Sequence, residues 1–295
     1  MMSRQNDLFS ALAEYPKRLR YNWRIIAEHG RRAKKPPRIG IGRSIAMVLG
    51  AVVVIAITGL LFDADARAAA GELPDFVRRF FGRITRYGKS DWLLIPPGLL
   101  VIIVGLGDWR HVGRRNAGAW AEIAAFMFVL VLVVAASGLL TDALKALVGR
   151  SRPAFVDGGA FEFAPLTFGG YANYSFPSGH ATTMGAVAEV LALGPPGWRV
   201  AGVIMALLVA VSRVVIGVHY PSDVLAGLLV GTVVSFLIVR SMAYGGYGYR
   251  RIEGGGMAWR FGVISRLRRR QGWLSAMLPA LWMALRPRQA SGRRP

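Results

Sequence analysis

Long apolar runs alternate with short polar and basic segments along this chain of 295 residues. The first run, residues 44–62, has 19 residues without a charge, which is long enough to cross the hydrocarbon core of a bilayer as a helix. Further apolar runs of membrane length follow at 92–107, 119–148, 178–193, 200–218 and 224–239. The pattern therefore predicts an all-α, polytopic membrane protein with six transmembrane helices.

The segment between the first two runs, residues 63–90, has a different pattern. Phe76, Phe80, Ile84 and Tyr87 are three or four residues apart, so a helix would place them on one face and the arginines on the other. This spacing predicts a helix that lies in the membrane interface, within the first outer loop.

Composition and charge predict how the chain is oriented in the membrane. Apolar residues make up 54% of the chain, yet the formal net charge is +21, and the positive charge is concentrated in both termini. Residues 1–43 carry eleven Lys and Arg against three acids, and residues 241–295 carry eleven against one. The positive-inside rule predicts that both termini are cytoplasmic, which six spans allow, and that the 63–90 loop, the 149–177 loop and the 219–223 turn face outward.

The apolar runs and the basic ends divide the chain into three segments. Residues 1–43 are expected to be a basic cytoplasmic segment, residues 44–240 a six-helix transmembrane domain, and residues 241–295 a basic tail that is flexible or interfacial. Nucleic-acid binding is the rival interpretation of the basic ends, but no motif supports it. The absence of cysteine excludes a disulfide framework, a thiolate nucleophile and a Cys-ligated metal.

Basic side chains stand near the outer ends of the predicted spans. Lys145 and Arg152 are two helical turns apart, so both could project from one face, although Lys and Arg at span ends often only reach towards the surface. Asp142, one turn before Lys145, is a candidate ion-pair partner. Arg213 lies inside an apolar run, where a guanidinium is costly, which favours a functional role over a buried ion pair with Asp142 or Glu189.

Two further groups of residues suit chemistry on an anion. Ser178, Gly179 and His180 open the fourth predicted span, where free N–H groups attract an anion and an imidazole can act as acid or base, although Ser178 could simply cap the helix. Asp223 can accept a hydrogen bond from Nδ1–H of His219, which would leave Nε2 free as a nucleophile. The alternative is a helix cap beside an interfacial histidine.

Together these residues resemble the three-part pattern of the type-2 phosphatidic acid phosphatase superfamily. The matching positions are Lys145, Arg152, Pro153, Pro177, Ser178, Gly179, His180, Ser212, Arg213, His219 and Asp223. The pattern covers residues 145–223, and the arrangement of spans extends the resemblance to about 44–240.

The resemblance implies a phosphatase that needs no metal and no other cofactor. His219 would attack phosphorus and form a phosphohistidine, Asp223 would orient it, and His180 would protonate the leaving oxygen and then help water to cleave the intermediate. The phosphate-binding residues would be Lys145, Arg152, Ser178, Gly179 and Arg213.

The implied substrate is a lipid phosphate or pyrophosphate in the bilayer, with phosphatidate, phosphatidylglycerophosphate, undecaprenyl diphosphate and lipid A as candidates. A lipid phosphotransferase that uses the same phosphoenzyme is the alternative. Vanadium-dependent haloperoxidases share the pocket, but six spans argue against them, and the intact residue set argues against a silent binding protein. The aromatic residues of the 149–177 loop are expected to form an interfacial belt and to wall a lipid entrance.

The expected location is the inner membrane of a bacterium. Both termini would lie in the cytoplasm and the active site would face the periplasm. No nucleic-acid partner is expected.

Overall fold

The computed structural model describes residues 16–18, 20–22, 36–37, 39–156, 160–166, 170–194, 196–252, 256–259, 262 and 273–286. The described residues are mainly helical, as predicted. The helices are α1 (Ile41–Glu72), α2 (Asp75–Ile84), α3 (Asp91–Leu106), α4 (Arg114–Val148), α5 (Gly179–Ala192), α6 (Pro196–Val215), α7 (Pro221–Gly245) and α8 (Trp273–Leu285). A short antiparallel hairpin pairs β1 (Tyr249–Arg251) with β2 (Met257–Trp259).

Five of the described helical segments are long and apolar enough to cross a membrane. They are α1, the segment Asp75–Leu106 that contains α2 and α3, α4, the segment Gly197–Val215 within α6, and α7. The fourth predicted span corresponds to α5, which has only 14 residues. The prediction of a helical membrane protein is confirmed, and the count of six spans stays a prediction.

Helix α1 is longer than its apolar run predicts. It continues ten residues beyond position 62, because the following segment is rich in alanine, the strongest helix former, and it ends just before Pro74. Its buried residues are only Gly59, Asp63 and Ala70. Nearly all of its apolar side chains therefore lie on the outside of the protein, as expected for a helix that faces lipid.

The amphipathic helix predicted within 63–90 is shorter than that segment. It corresponds to α2 and a 3₁₀ turn at Thr85–Gly88, while the beginning of the segment belongs to α1. Phe76 and Phe80 are more than half exposed, whereas Ile84 packs against a buried cluster that contains Met184 and Val209. The apolar side chains of α2 are thus divided between the exterior and the core.

The described residues form two compact units. The tail unit consists of the described parts of residues 1–34, 95–129 and 242–295, and the site unit consists of those of 35–94 and 130–241. In the tail unit, α8 buries Met277, Ala280 and Ala284 in a cluster with Trp109 and Trp120. One face of α8 is therefore packed in a core, whereas Leu278, Trp282 and Met283 are more than half exposed. The description of residues 241–295 as a flexible or interfacial tail stays a prediction. The segment boundaries at 43 and 240 stay predictions.

The site unit is organised around α5, in which eight of the 14 residues are buried. Small residues allow α7 to approach it closely: a Cβ atom at Gly231 would lie 2.7 Å from the backbone nitrogen of Ala186. Ser235 on α7 also donates a hydrogen bond to the carbonyl of Ala186, at 3.2 Å. The glycines on α7 thus serve helix packing within the chain, and α5 is held firmly at the centre of the unit.

Candidate active site

His219 and Asp223 lie where α6 gives way to α7. Gly217 has a φ of 69°, which favours glycine and lets the chain turn after α6. Pro221 begins α7, a position where its fixed φ suits the helix. Asp223 therefore falls in the first turn of α7, and its Oδ2 accepts the backbone N–H of Tyr220 at 3.0 Å.

The contact between His219 and Asp223 differs from the prediction. Nδ1 of His219 and Oδ2 of Asp223 are 3.7 Å apart, which is too long for a direct hydrogen bond. The Ser175 hydroxyl contacts both from one side, 2.5 Å from Oδ2 of Asp223 and 3.5 Å from Nδ1 of His219. If Ser175 donates to Asp223, it can accept a long hydrogen bond from Nδ1–H, and Nε2 of His219 is left without a proton.

His219 is almost completely buried. Burial lowers the pKa of His219 to about 4, against the opposing effect of the Asp223 carboxylate. The imidazole is therefore neutral at pH 7, which is the form that can act as a nucleophile. We call His219, Ser175, Asp223 and Arg150, which binds Asp223, the nucleophile side of the site.

The residues predicted to bind phosphate lie around the start of α5. Ser178 is fully buried, yet its hydroxyl makes neither the capping bond to α5 nor any other hydrogen bond within the described residues. The Lys145 ammonium is so close to Gly179 that a Cβ atom there would lie 3.2 Å from Nζ. Asp142 is 3.6 Å from the same Nζ, as predicted. The Ser178 hydroxyl, which has no partner among the described residues, thus lies at the N-terminus of α5, close to the Lys145 ammonium of α4.

Arg152 and Arg213 are both buried at the site, with different partners. Arg152 donates to the carbonyls of Tyr171 and Tyr174, and its guanidinium lies 3.8 Å from the centre of the Tyr171 ring. Arg213 donates to the Thr85 hydroxyl at 2.8 Å, and within the described residues it forms no ion pair with an acid. Its Nε has no partner among the described residues, which leaves a donor for an anion.

His180 is the first-turn histidine of α5, and its neighbours are cationic. Arg213, Lys145 and Lys89 all lie close enough for their charges to act on it. His180 also lines a cavity of about 600 Å³ together with Lys145 and Gly179. We call Lys145, Ser178, Gly179, His180 and Arg213 the phosphate side, of which Lys145, Gly179 and His180 line this cavity.

The walls of this cavity differ from the expected lipid entrance. They come from residues 88–91 and from Leu94, Val134 and Leu139, and no aromatic residue of the 149–177 loop is among the described lining residues. Three aromatics of that loop, Phe161, Phe163 and Phe176, instead line a separate cavity of about 250 Å³. The prediction that the aromatic loop walls the entrance is therefore wrong for the cavity beside His180.

Gly88 allows the 3₁₀ turn after α2 to approach the site. A Cβ atom at this position would lie 2.6 Å from Val209 and 2.9 Å from the Cβ of His180. The sequence pattern does not reveal this contact, because Gly88 is far from His180 in sequence and belongs to no recognised motif.

Sequence reasoning also missed Ser175, Arg150 and Asp63. Arg150 binds both Asp223 and Asp63, and all three side chains are buried. Ser175 and Arg150 lie within two or three residues of motif positions, which is the only signal that could have pointed to them. Among the described residues, no group of three or more His, Cys, Asp or Glu is arranged to hold a metal ion.

Comparison with known proteins finds one matching family. The family model of the PAP2 superfamily matches residues 126–247, which include all of the candidate site residues proposed from the sequence. Asp63 lies outside the matched region.

Curated relatives cover most of the same region. Lipid A 1-phosphatase of Rhizobium etli is 39% identical over 183 residues, which are 60% of this chain and 75% of the relative. Undecaprenyl-diphosphatase of Sulfolobus acidocaldarius is 47% identical over 158 residues, 53% of this chain and 66% of the relative. Phosphatidylglycerophosphatase B of Bacillus subtilis is 31% identical over 188 residues, 60% of this chain and 80% of the relative.

Among solved structures, a transmembrane PAP2 type phosphatidylglycerolphosphate phosphatase from Bacillus subtilis is similar, with a TM-score of 0.44 and 25% identity. The similarity covers 64% of this chain and 92% of that protein.

Proposed function

This chain belongs to the PAP2 superfamily, and from that premise we propose that it hydrolyses a phosphate ester or diphosphate of a membrane lipid through a phosphohistidine at His219. The observation that carries the proposal is the contrast around one site. A neutral, oriented imidazole lies on one side. On the other side, the Ser178 hydroxyl has no partner among the described residues and lies at the start of α5, beside which the Lys145 ammonium is found.

In the first step, Nε2 of His219 attacks phosphorus. The N–P bond forms as the P–O bond to the lipid breaks, and the leaving oxygen takes a proton from the imidazolium form of His180. The negative charge of the bound phosphate would stabilise this form beside the cations around it. Nδ1–H of His219 stays bonded towards Ser175 and Asp223, which stabilises the positive charge that the ring acquires. His180 suits the role of acid because it lines the cavity in which the leaving group would lie.

The phosphate side supplies charge stabilisation for the same step. Three phosphoryl oxygens carry the developing negative charge, and pre-placed cations and N–H groups lower the barrier because they need no reorganisation. Lys145, Arg213, the Ser178 hydroxyl and the backbone of Gly179 would bind these oxygens. Arg152 would add a further positive charge, held in place by two carbonyls.

In the second step, His180 accepts a proton from water as the water oxygen attacks phosphorus. The N–P bond breaks, inorganic phosphate is released, and Nε2 of His219 regains its lone pair. If a lipid hydroxyl replaced water, the same phosphoenzyme would make the protein a phosphotransferase.

The substrate class follows from the cavity and from the relatives. Leu94, Val134 and Leu139 are apolar lining residues of the cavity beside His180, and Lys89 lines the same cavity. The relatives are named for lipid A, undecaprenyl diphosphate and phosphatidylglycerophosphate, so we propose a lipid of these kinds or phosphatidate.

The test is inorganic phosphate release by the purified full-length protein from each of these four lipids in mixed micelles. We expect release from at least one lipid and none with His219→Ala. A second arm adds an excess of a lipid alcohol: transfer of phosphate to the alcohol without release would favour the phosphotransferase. No release and no transfer from any of the four would contradict the proposal.

We also propose that the site faces the periplasm of a bacterial inner membrane and that both termini are cytoplasmic. The support is the excess of Lys and Arg in both termini. Because the chain has no cysteine, Glu162→Cys and Arg115→Cys each introduce a single label site on an exposed side chain. An impermeant maleimide should label only Glu162→Cys in intact spheroplasts, and labelling of only Arg115→Cys would reverse the orientation.

A further inference from the structure

A buried arginine joins two carboxylates behind the nucleophile. Arg150 Nη1 is 2.6 Å from Oδ1 of Asp223, and Arg150 Nη2 is 2.7 Å from Oδ2 of Asp63. The exposed fractions are 2% for Arg150 and 0% for both carboxylates. Three chain segments therefore meet in one charged cluster: α1 provides Asp63, the loop after α4 provides Arg150, and the first turn of α7 provides Asp223.

Local structure directs Arg150 into this position. Gly149 ends α4 with a φ of 59°, a conformation that favours glycine, and the backbone of Ala164 leaves no room for a Cβ atom there. The Arg150 guanidinium also donates to the carbonyl of Ala160 at 2.7 Å and lies 4.1 Å from the centre of the Tyr220 ring. The guanidinium is thus fixed by several contacts.

Asp63 holds the start of α7 as well as Arg150. Its Oδ1 accepts the backbone N–H of Ser222 at 3.0 Å, and its Oδ2 accepts the Ser222 hydroxyl at 2.5 Å. Ser222 directly precedes Asp223. A residue of α1 therefore fixes the turn that positions the carboxylate behind His219.

Stability alone does not explain this cluster. Burying charged groups is costly, and an apolar replacement of similar volume is often as stable as a buried ion pair. Asp63 is also the only charged residue that α1 buries, in a helix whose other buried residues are Gly59 and Ala70. A role in the chemistry accounts for a carboxylate at this position.

The sum of the charges suggests what that role is. Arg150 alone would neutralise Asp223 and weaken its effect on His219 through Ser175. Asp63 shares the charge of Arg150, so the cluster of one cation and two anions keeps one net negative charge. That charge favours the positive ring that His219 becomes when it carries a phosphoryl group.

We propose that Asp63 and Arg150 are positioning residues for phosphoryl transfer, which hold Asp223 and keep its charge effective towards His219. The inference rests on the proposed role of His219 as the nucleophile. It brings α1, which lies outside the matched family region, into the active site through Asp223 rather than through the substrate.

The first test replaces Asp63 in the full-length protein. Asp63→Asn should lower kcat by about 30-fold or more, with KM changed less than about threefold, because the substrate contacts are intact. The loss should be similar for dioctanoyl phosphatidate and for p-nitrophenyl phosphate, since both need the nucleophile. Asp65→Asn, on an exposed position of the same helix, is the matched control and should match the wild type.

A charge-balanced double variant separates electrostatics from packing. Asp63→Asn with Arg150→Gln restores the single negative charge of the cluster, so its kcat should exceed that of Asp63→Asn alone. A purely structural role predicts losses that add. A double variant that is no more active than Asp63→Asn would overturn the charge argument.

If Asp63→Asn does not fold, Arg150→Lys tests the same inference without changing α1. Lysine keeps the charge but lacks the planar fork that binds two carboxylates, so kcat should fall about tenfold. A kcat equal to that of the wild type would overturn the inference. His219→Ala in the same assay separates the two proposals: if it retains turnover, the nucleophile is wrong, whereas an inactive His219→Ala beside a fully active Asp63→Asn refutes only this inference.

Discussion

The carboxylate behind His219 and the phosphate side of the site differ in how their polar atoms are partnered. On the nucleophile side, the Asp223 carboxylate already accepts hydrogen bonds from Ser175, Tyr220 and Arg150. On the phosphate side, the Ser178 hydroxyl and Nε of Arg213 are buried without a partner among the described residues.

The difference shows which part of the site the substrate completes. Hydrogen bonds from Ser175, Tyr220 and Arg150 fix the Asp223 carboxylate behind His219 before substrate binds, so little reorganisation is needed there when phosphorus is attacked. Nε of Arg150, behind this carboxylate, is itself buried without a partner among the described residues. Unpaired buried donors are costly, and a phosphoryl group that accepts their hydrogen bonds removes that cost. Changes on the nucleophile side should therefore affect kcat and stability together, whereas changes on the phosphate side should affect activity with little loss of stability.

The largest effect is expected from Asp223→Asn. The amide cannot reproduce both the Arg150 ion pair and the Ser175 hydrogen bond, so His219 loses its orientation and its stabilising charge. We expect kcat to fall by about 10⁴-fold, as when the orienting carboxylate of a catalytic triad is replaced. The unfolding temperature should fall too, because Arg150 loses one of its two anions. Steady-state kinetics and thermal unfolding measure both, and a kcat within tenfold of the wild type would contradict the comparison.

Ser178→Ala should have a smaller effect on activity and almost none on stability. Removing one oxyanion donor typically costs about 10²-fold to 10³-fold in rate, while the lost hydroxyl has no partner to leave unpaired. Ser235→Ala is the matched control, since that buried hydroxyl donates to the Ala186 carbonyl and lies on α7 away from the site. It should lower the unfolding temperature and leave kcat unchanged. The reverse pattern in the two variants would refute the assignment of the phosphate side.

The pH dependence of activity and of stability should show that His219 is buried and neutral. Because its pKa is lowered to about 4, the imidazole stays neutral at pH 5.5, where a histidine with a pKa of 6.5 would be about tenfold less available. The value of kcat/KM for p-nitrophenyl phosphate, whose leaving group needs no acid, should therefore fall little between pH 7 and 5.5. The unfolded chain binds this proton more readily than the folded one, so stability should decrease as the pH falls from 6.5 towards 4. A half-maximal loss of kcat/KM near pH 6.5 would contradict the burial of the nucleophile.

The smallest expected effect is that of metal removal. Lys145, Arg152 and Arg213 supply the positive charge that a metal would supply in other phosphatases, so EDTA should change kcat by less than about twofold. Orthovanadate serves as the control for an intact site, because it can adopt the five-coordinate geometry of the transferring phosphoryl group and should inhibit. Loss of activity in EDTA with recovery in Mg²⁺ would refute the proposed role of the cations.

The sequence predicted the helical membrane fold and every motif residue that the structure places around α5 and the start of α7. Apolar runs of membrane length and the spacing between charged residues are local patterns, so they can be recognised without knowledge of tertiary contacts. Asp63 is different, because it is paired with a residue 87 positions away, and no local pattern records that contact. The contact of α8 with Trp109 and Trp120 could not be predicted for a similar reason, since those residues are far from α8 in the sequence.

Ser175 shows that two residues which the sequence brings together can be connected differently from the prediction. The spacing of His219 and Asp223 predicted a direct hydrogen bond, but the two atoms are 3.7 Å apart and a hydroxyl from the loop before α5 contacts both. The position of that loop depends on tertiary packing, which the backbone hydrogen bond from Ser178 to the Asp223 carbonyl, at 3.0 Å, helps to fix.

The central claim is that His219 carries the phosphoryl group, and rapid quenching with a ³²P-labelled lipid phosphate tests it most directly. Wild-type protein stopped within one turnover should hold label that is stable in alkali, released by acid, and located on a peptide that contains His219. His219→Ala should hold no label and show no turnover. Label on a different residue, or turnover by His219→Ala near the wild-type rate, would contradict the claim.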